Sequence, residues 1–222
     1  MKEFKINNKG SAELFSNKIL ERLTRTNFIV PVILYSFVSI YFLFLAVEDQ
    51  EIIVLTNWWM LPGGAVFFTL IEYLVHRFVF HFHAETEKEI QLQYNIHGVH
   101  HEFPRDKDRL VMPPVLSVVL ATFFYFVFRF LFGPSGIIFF SGFLAGYTIY
   151  LLIHYAVHAL KPPKNFLKLF WTHHSLHHYA SVHSAFSVSF PLWDYLFGTM
   201  PDKKERAKVM EKLPDIGKVQ ST

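Results

Sequence analysis

The sequence predicts an all-α integral membrane protein, with four transmembrane helices and a cytosolic helical cap that holds a histidine-rich di-metal site. Two observations lead to this prediction. Uncharged apolar runs of about twenty residues recur along the first 160 residues, and each is long enough to span the roughly 30 Å hydrocarbon core of a bilayer. Ten of the 13 histidines fall into four short clusters at the ends of these runs or shortly after them.

The composition excludes several classes of protein. Of the 222 residues, 52% are hydrophobic and 26 are phenylalanine, which is too apolar for an ordinary soluble domain. Cysteine is absent, so a disulfide framework, a Cys-based zinc site and an iron–sulfur cluster are excluded. The net charge is only +3 and the basic residues form no patch, so nucleic acid is not expected as a partner.

Composition along the chain divides it into three parts. Residues 1–27 carry six Lys and Arg and are expected to form a cytosolic N-terminal segment. Residues 28–200 are expected to form the membrane-embedded domain, and residues 201–222 a charged cytosolic tail. The predicted transmembrane helices are at about 28–47, 54–80, 112–131 and 136–158.

The distribution of basic residues predicts the orientation. The acidic turn at 48–51 has no Lys or Arg, whereas the N-terminal segment has six, the loop at 77–109 has five and the region after Leu160 has nine. Because basic loops stay on the cytosolic side, both termini and the long loop are expected in the cytosol. All four histidine clusters then lie on the same side, which supports one shared site.

The H-x-x-H-H spacing occurs twice, at His97–His101 and at His174–His178. Positions i, i+3 and i+4 of a helix lie on one face, so each motif is expected to aim three ring nitrogens at one point. Neutral imidazole is the commonest protein ligand for a metal. The two motifs therefore indicate a metal site.

Two looser histidine pairs complete the set. His154 and His158 share one helix face, whereas His76 and His81 are about 140° apart on an ideal helix. His76 and His81 therefore point to different metals, or the helix opens near its end. Ten imidazoles exceed the four ligands of zinc or the six of iron, so two metals are expected to share them.

Two carboxylates are candidates to accept a hydrogen bond from a ligand histidine and so fix its tautomer. Glu72 lies one turn before His76, although it could equally pair with Arg77 or another helix. Asp194 is the second candidate, with the cap of an interfacial helix as the alternative.

Three histidines lie outside the repeated spacings. His83 and His183 are expected to be ordinary surface or polar residues. His173 lies four residues before His177, so it either joins that face or is only a neighbour.

Six segments together resemble the fatty acid hydroxylase/sterol desaturase superfamily of integral membrane di-metal oxygenases, and within it the fatty acid 2-hydroxylases. The resemblance covers roughly residues 70–200. The histidine pattern is typical of the superfamily, and the R-L-V-x-P-P sequence at Arg109–Pro114 after H-G-x-H-H narrows it to the 2-hydroxylase branch. The matching segments are His76–His81, His97–His101, Arg109–Pro114, His154–His158, His174–His178 and Trp193–Thr199.

The resemblance implies a chemistry and a ligand set. The expected reaction is O2-dependent hydroxylation of a long-chain fatty acyl group at carbon 2. The resemblance implies that it takes place at a site for two iron ions, which zinc can also occupy. Carried over residue by residue, the family's metal ligands fall on His76, His81, His97, His100, His101, His154, His158, His174, His177 and His178.

The resemblance also implies partners. Eukaryotic members often carry an N-terminal cytochrome b5 domain, which this chain is too short to hold, so a separate cytochrome b5-like or ferredoxin-like protein is expected to supply electrons. For the same reason a bacterial plasma membrane is favoured over the endoplasmic reticulum. The substrate is expected to be a lipid or fatty acyl compound.

Two other functions remain open at this stage. Another oxygenase of the superfamily would act on a carotenoid or a sterol, although R-L-V-x-P-P argues against it. A membrane metal transporter or metal-binding protein would place ligands along a path between both faces of the membrane, whereas the predicted ligands here lie on one side.

Overall fold

A computed structural model describes residues 5–49 and 57–207, and within these ranges the chain is helical and has no β-strand. The α-helices are α1 Lys18–Leu23, α2 Ile29–Glu48, α3 Met60–Val75, α4 Glu87–Gln93, α5 Val99–Glu102, α6 Pro114–Phe132, α7 Gly136–Ala159, α8 Lys168–Tyr179 and α9 Leu192–Leu196. Two π-helical turns, His76–Phe80 and Tyr94–Gly98, and two 3-10 turns, Lys107–Arg109 and Gly133–Ser135, connect some of them.

Three stretches of the described chain are long and apolar enough to cross a membrane: Ile29–Glu48, Met60–Phe80 and Lys107–Ala159. The last has 53 residues and folds back at Gly133–Ser135, so that it contains both α6 and α7. The all-helical, membrane-capable fold is therefore confirmed, while the count of four spans stays a prediction. Parts of three predicted elements lie outside the described ranges: residues 1–4 of the N-terminal segment, the start of the second transmembrane helix within 50–56, and residues 208–222 of the tail.

Helix α7 is the central element of the membrane domain, where it packs against α2, α3 and α6. Its contact with α3 depends on glycine: a Cβ at Gly64 or Gly142 would collide with a backbone carbonyl of the opposite helix, that of Phe139 or Leu61 respectively. Small residues let two helix backbones approach this closely. Since α3 leads into His76 and α7 carries His154, this contact sets the distance between two of the histidine pairs.

The N-terminal segment packs on helix α5, which carries part of the first histidine motif, and on the residues that follow it. The Asn7 backbone N–H donates to the Glu102 carbonyl at 2.7 Å. The buried Arg109 donates to the carbonyl of Ala12 and the hydroxyl of Thr24, each at 2.8 Å. The segment is thus part of the same layer as the histidine loops.

Candidate metal centre

The structure gathers nine of the ten candidate histidines into two buried groups, and within each group one ring nitrogen per residue lies within 4.8 Å of the others. The tenth, His178, lies beside the second group, with its Nε2 3.1 Å from Nε2 of His174. The five-His group is His76, His81, His97, His101 and His177, and the four-His group is His100, His154, His158 and His174.

Each H-x-x-H-H motif is divided between the two groups. His97 and His101 belong to the five-His group while His100 lies in the four-His group, and His177 lies in the five-His group while His174 lies in the other. The expectation that each motif aims three nitrogens at one point is therefore wrong. The reason is that consecutive residues of a helix are about 100° apart, so adjacent histidines at i+3 and i+4 face two different sites.

The pair His76 and His81 belongs to one group because the helix opens where it ends. Helix α3 passes into the π-helical turn His76–Phe80, and the His81 backbone N–H donates to the His76 carbonyl at 3.1 Å. A π-turn closes an i to i+5 hydrogen bond, which brings residue i+5 back to the side of residue i. The second of the two alternatives for this pair is confirmed.

Ring nitrogens meet at short distances inside each group. Nε2 atoms lie 2.9 Å apart in His76 and His97, 3.1 Å in His177 and His81, 3.1 Å in His177 and His101, 3.2 Å in His154 and His100, and 2.7 Å in His158 and His174. Two nitrogens bound to one metal at about 2.0–2.1 Å are themselves about 2.9 Å apart at a right angle and about 3.3 Å apart at a tetrahedral angle. The spacing fits nitrogens that share a metal.

Backbone carbonyls orient three of these rings. The Nδ1–H groups of His154 and His177 donate to the carbonyls of Leu110 and Ser184, each at 2.8 Å, and that of His76 donates to the carbonyl of Phe186. With the proton on Nδ1, Nε2 carries a lone pair. Imidazole binds a metal through such a lone pair, so these three rings are oriented as metal ligands.

Burial keeps these imidazoles neutral, as metal ligation requires. Burial, followed by the neighbouring imidazoles, lowers the pKa of His101 and of His174 well below the ordinary value. Burial lowers the pKa of His177 to about 4. At neutral pH these three rings are therefore available as ligands without the loss of a proton.

The Glu72 carboxylate bonds to the loop after His183 and makes no hydrogen bond with a ligand histidine. It accepts the backbone N–H groups of Val188 at 2.6 Å and Ser189 at 3.2 Å, and the Ser189 hydroxyl. Of the alternatives for Glu72, a hydrogen bond with the His76 ring is not seen, because the Phe186 carbonyl accepts Nδ1–H of His76. Pairing with Arg77 is also not seen, since the guanidinium of Arg77 donates to the Tyr73 hydroxyl at 2.8 Å.

Asp194 is fully buried and contacts His173, which belongs to neither group. It accepts Nε2–H of His173 at 2.9 Å and the Thr199 hydroxyl at 2.7 Å. It also accepts the backbone N–H groups of Phe186 and Ser187, each at 2.9 Å. Burial opposes the charge, but the hydrogen bonds from His173 and Thr199 hold the pKa of Asp194 at about 2. His173 is thus a neighbour of the site, and Asp194 is not in contact with a candidate ligand.

The sequence and structure of this chain are similar to those of known proteins. A family model described as fatty acid hydroxylase matches residues 61–199, a range that includes all ten candidate histidines. The chain belongs to the fatty acid hydroxylase family.

Individual members of that family are similar over most of the chain. The ceramide very long chain fatty acid hydroxylase of Schizosaccharomyces pombe is 36% identical over 209 residues, which cover 91% of this chain and 59% of the relative. The fatty acid 2-hydroxylase of Rattus norvegicus is 42% identical over 142 residues, which cover 62% of this chain and 38% of the relative. The solved structure titled full length scs7p, with only its hydroxylase domain visible, matches with a TM-score of 0.79 and 36% identity, covering 87% of this chain and 74% of that chain.

The matched region is only part of each relative. The chain spans 59% and 38% of the lengths of the two curated relatives. Both relatives come from eukaryotes, so they give no support to the expected bacterial plasma membrane.

In this chain an apolar cavity of about 230 Å³ leads from the histidines in among the apolar helices. Histidines from both groups line one end of it: His76 and His97 of the five-His group and His154 of the four-His group. Phenylalanines of α3, α6 and α7 line the remainder, among them Phe68, Phe124 and Phe143. Most pockets that bind small molecules are apolar with a few convergent polar groups, and this cavity has that character.

Proposed function

We propose that this protein hydroxylates a long-chain fatty acyl group at carbon 2, using O2. The observation that carries the proposal is the cavity: both histidine groups meet at one end of an apolar space within the membrane domain. The names of its relatives, a ceramide very long chain fatty acid hydroxylase and a fatty acid 2-hydroxylase, support the same reaction.

The proposed ligands are divided into two sets of five. The five-His group holds one metal, and the four-His group together with His178 holds the other. Iron is the expected metal at both positions and zinc is the alternative, because imidazole nitrogen suits both metals. When bound, the metals would activate O2 toward an unactivated C–H bond, which side chains alone cannot do. One oxygen atom would become the hydroxyl group, and two electrons from the separate donor with two protons would reduce the other to water.

The protein's own residues supply position and exclude water. The carbonyls of Ser184, Phe186 and Leu110 hold three of the imidazoles with Nε2 toward the metal positions. The apolar cavity excludes water and accepts the methylene chain of the substrate along Phe68 and its neighbours. A substrate whose head group stays at the membrane surface then presents carbon 2, next to that head group, to the histidine end.

The proposed topology has four transmembrane helices with both termini in the cytosol, and electrons come from a separate cytochrome b5-like or ferredoxin-like protein. The absence of cysteine allows a clean test by labelling single introduced cysteines with a membrane-impermeant maleimide. Asn165→Cys, between α7 and α8, should be labelled only from the cytosolic side, and Ser135→Cys, between α6 and α7, only from the opposite side. Labelling of both from one side would contradict the topology.

The reaction is tested by lipid mass spectrometry of cells that express the protein under 18O2. We expect 2-hydroxy acyl chains that carry one 18O atom, which are lost in His158→Ala and retained in His83→Ala, a histidine that is exposed and belongs to neither group. The lipid class that carries the label identifies the acyl carrier. Label in a carotenoid or a sterol, with none at carbon 2 of acyl chains, would contradict the proposal.

A further inference from the structure

We propose that Glu72 and Asp194 are positioning residues for one metal only, that of the five-His group, and that they act through the backbone of the loop 184–189. The inference rests on the proposed function in one respect, namely that each histidine group binds its own metal.

The carbonyl side of this loop orients two members of the five-His group. The Ser184 carbonyl accepts Nδ1–H of His177 at 2.8 Å, and the Phe186 carbonyl accepts Nδ1–H of His76. In the four-His group the corresponding acceptor is the carbonyl of Leu110, from a different part of the chain. A shift of the loop 184–189 therefore turns rings in one group and leaves the other group in place.

The amide side of the same loop is held by the two carboxylates. Four successive backbone N–H groups are shared between them: those of Phe186 and Ser187 donate to Asp194, and those of Val188 and Ser189 donate to Glu72. The loop thus has carboxylates on one side and imidazoles on the other. All four successive amides are bonded to these two side chains, so Glu72 and Asp194 define where the two carbonyls lie.

Burial shields these amides from water. Residues 184–188 are buried, as are Glu72 and Asp194. Ala185 has a φ of +54°, a left-handed conformation that is unfavourable for alanine, and its N–H donates to the Thr199 carbonyl at 2.8 Å. Because a buried N–H without an acceptor is strongly unfavourable, loss of a carboxylate displaces the loop.

The two carboxylates respond differently to replacement by an amide. Both amides bonded to Glu72 share one oxygen, Oε1, and the other oxygen faces only the Ser189 hydroxyl, which can rotate and accept. Glu72→Gln can therefore keep every hydrogen bond, whereas Glu72→Met loses them all. Each oxygen of Asp194 accepts one backbone N–H, so Asp194→Asn must turn an NH2 group toward an N–H donor.

The experiment counts metals in purified full-length protein by elemental analysis, after competition with a chelator. Glu72→Met and Asp194→Asn should weaken the five-His metal by about ten- to hundredfold, the range seen for residues that support metal ligands, and should retain the other metal. Glu72→Gln should retain both. Glu21→Gln is the matched control, because Glu21 also accepts two successive backbone N–H groups, those of Leu14 and Phe15, away from the loop.

Two backgrounds identify which metal is weakened. His158→Ala leaves only the five-His metal, and Glu72→Met added to it should weaken that metal by about ten- to hundredfold. His81→Ala leaves only the other metal, and Glu72→Met added to it should change nothing. Weaker binding in both backgrounds, or in neither, would overturn the proposal. A wild-type protein that holds two metals but makes no 2-hydroxy product would contradict the proposed function while leaving this inference in place.

Discussion

The five-His group and the four-His group are assembled from the same kinds of parts. Each contains two pairs of histidines, if His178 is counted with His174. The two members of each pair are four or five residues apart on the same helical segment. Each group also takes one histidine from the motif that mainly serves the other: His100 joins the four-His group and His177 joins the five-His group. The exchange ties the two motifs together, so that neither metal position can be formed by one segment of the chain.

The two groups differ in what holds them. His154 and His158 lie on α7, a helix buried along most of its length at the centre of the membrane domain. The five-His group instead depends on a π-helical turn and on the loop 184–189. Local stability follows the density of buried packing. The comparison teaches that two chemically similar sites need not be equally robust, and we expect the five-His metal to be the more labile.

The largest expected effect follows from removing the exchanged histidine of the five-His group. His177→Ala deletes a ring whose Nε2 lies 3.1 Å from those of both His81 and His101, so one metal should be lost and 2-hydroxylation should fall to background. Product formation and metal content together test this. Full activity with one metal retained would contradict the ligand assignment.

The division of each motif between the two groups predicts which variants lose the same metal. His100→Ala should remove the same metal as His158→Ala, so the double variant should still hold one metal. His97→Ala combined with His158→Ala should hold none, although His97 and His100 belong to one motif. Elemental analysis of the two double variants distinguishes these results, and equal metal contents would show that the motif is not divided.

A smaller effect is expected where α3 and α7 meet. Gly142→Ala forces the helices apart, because the new Cβ would collide with the Leu61 carbonyl, and such overpacking costs about 1–3 kcal/mol. Gly63→Ala is the control, since its Cβ would lie an ordinary 3.6 Å from Phe139. Thermal unfolding in detergent should show a lowered Tm for the first variant alone; an equal change in both would show that the close approach does not matter.

The smallest effect is expected at a histidine outside both groups. The His83 side chain is 84% exposed and lies 3.7 Å from Glu85. His83→Ala should keep both metals and change the free energy of unfolding by no more than about 0.5 kcal/mol, as is usual for surface substitutions. A lost metal would place His83 in the site.

Helical spacing in the sequence predicted much of this arrangement. It predicted that histidines at i and i+4 belong together, while the long uncharged runs predicted the membrane-capable helices and the number of imidazoles led to the expectation of two metals. Helical spacing placed all three histidines of each motif on one site because it treated i+3 and i+4 as equivalent, whereas their separation of about 100° is enough to direct them to two sites. The H-x4-H spacing of His76 and His81 was the one signal of the π-helical turn.

The roles of Glu72 and Asp194 were beyond that reasoning. Spacing along a helix shows that Glu72 precedes His76 by one turn, but it does not show that the loop 184–189 packs between them. The contacts of Glu72 with Val188 and of His76 with Phe186 join residues 116 and 110 positions apart. They depend on the tertiary fold, and the loop sequence contains no motif that indicates them.

The most direct test of the two-site account is anomalous X-ray diffraction from crystals of the iron- or zinc-loaded protein. The account predicts two peaks, one surrounded by the five-His group and the other by the four-His group with His178. A single peak, or a peak surrounded by His97, His100 and His101 together, would contradict it.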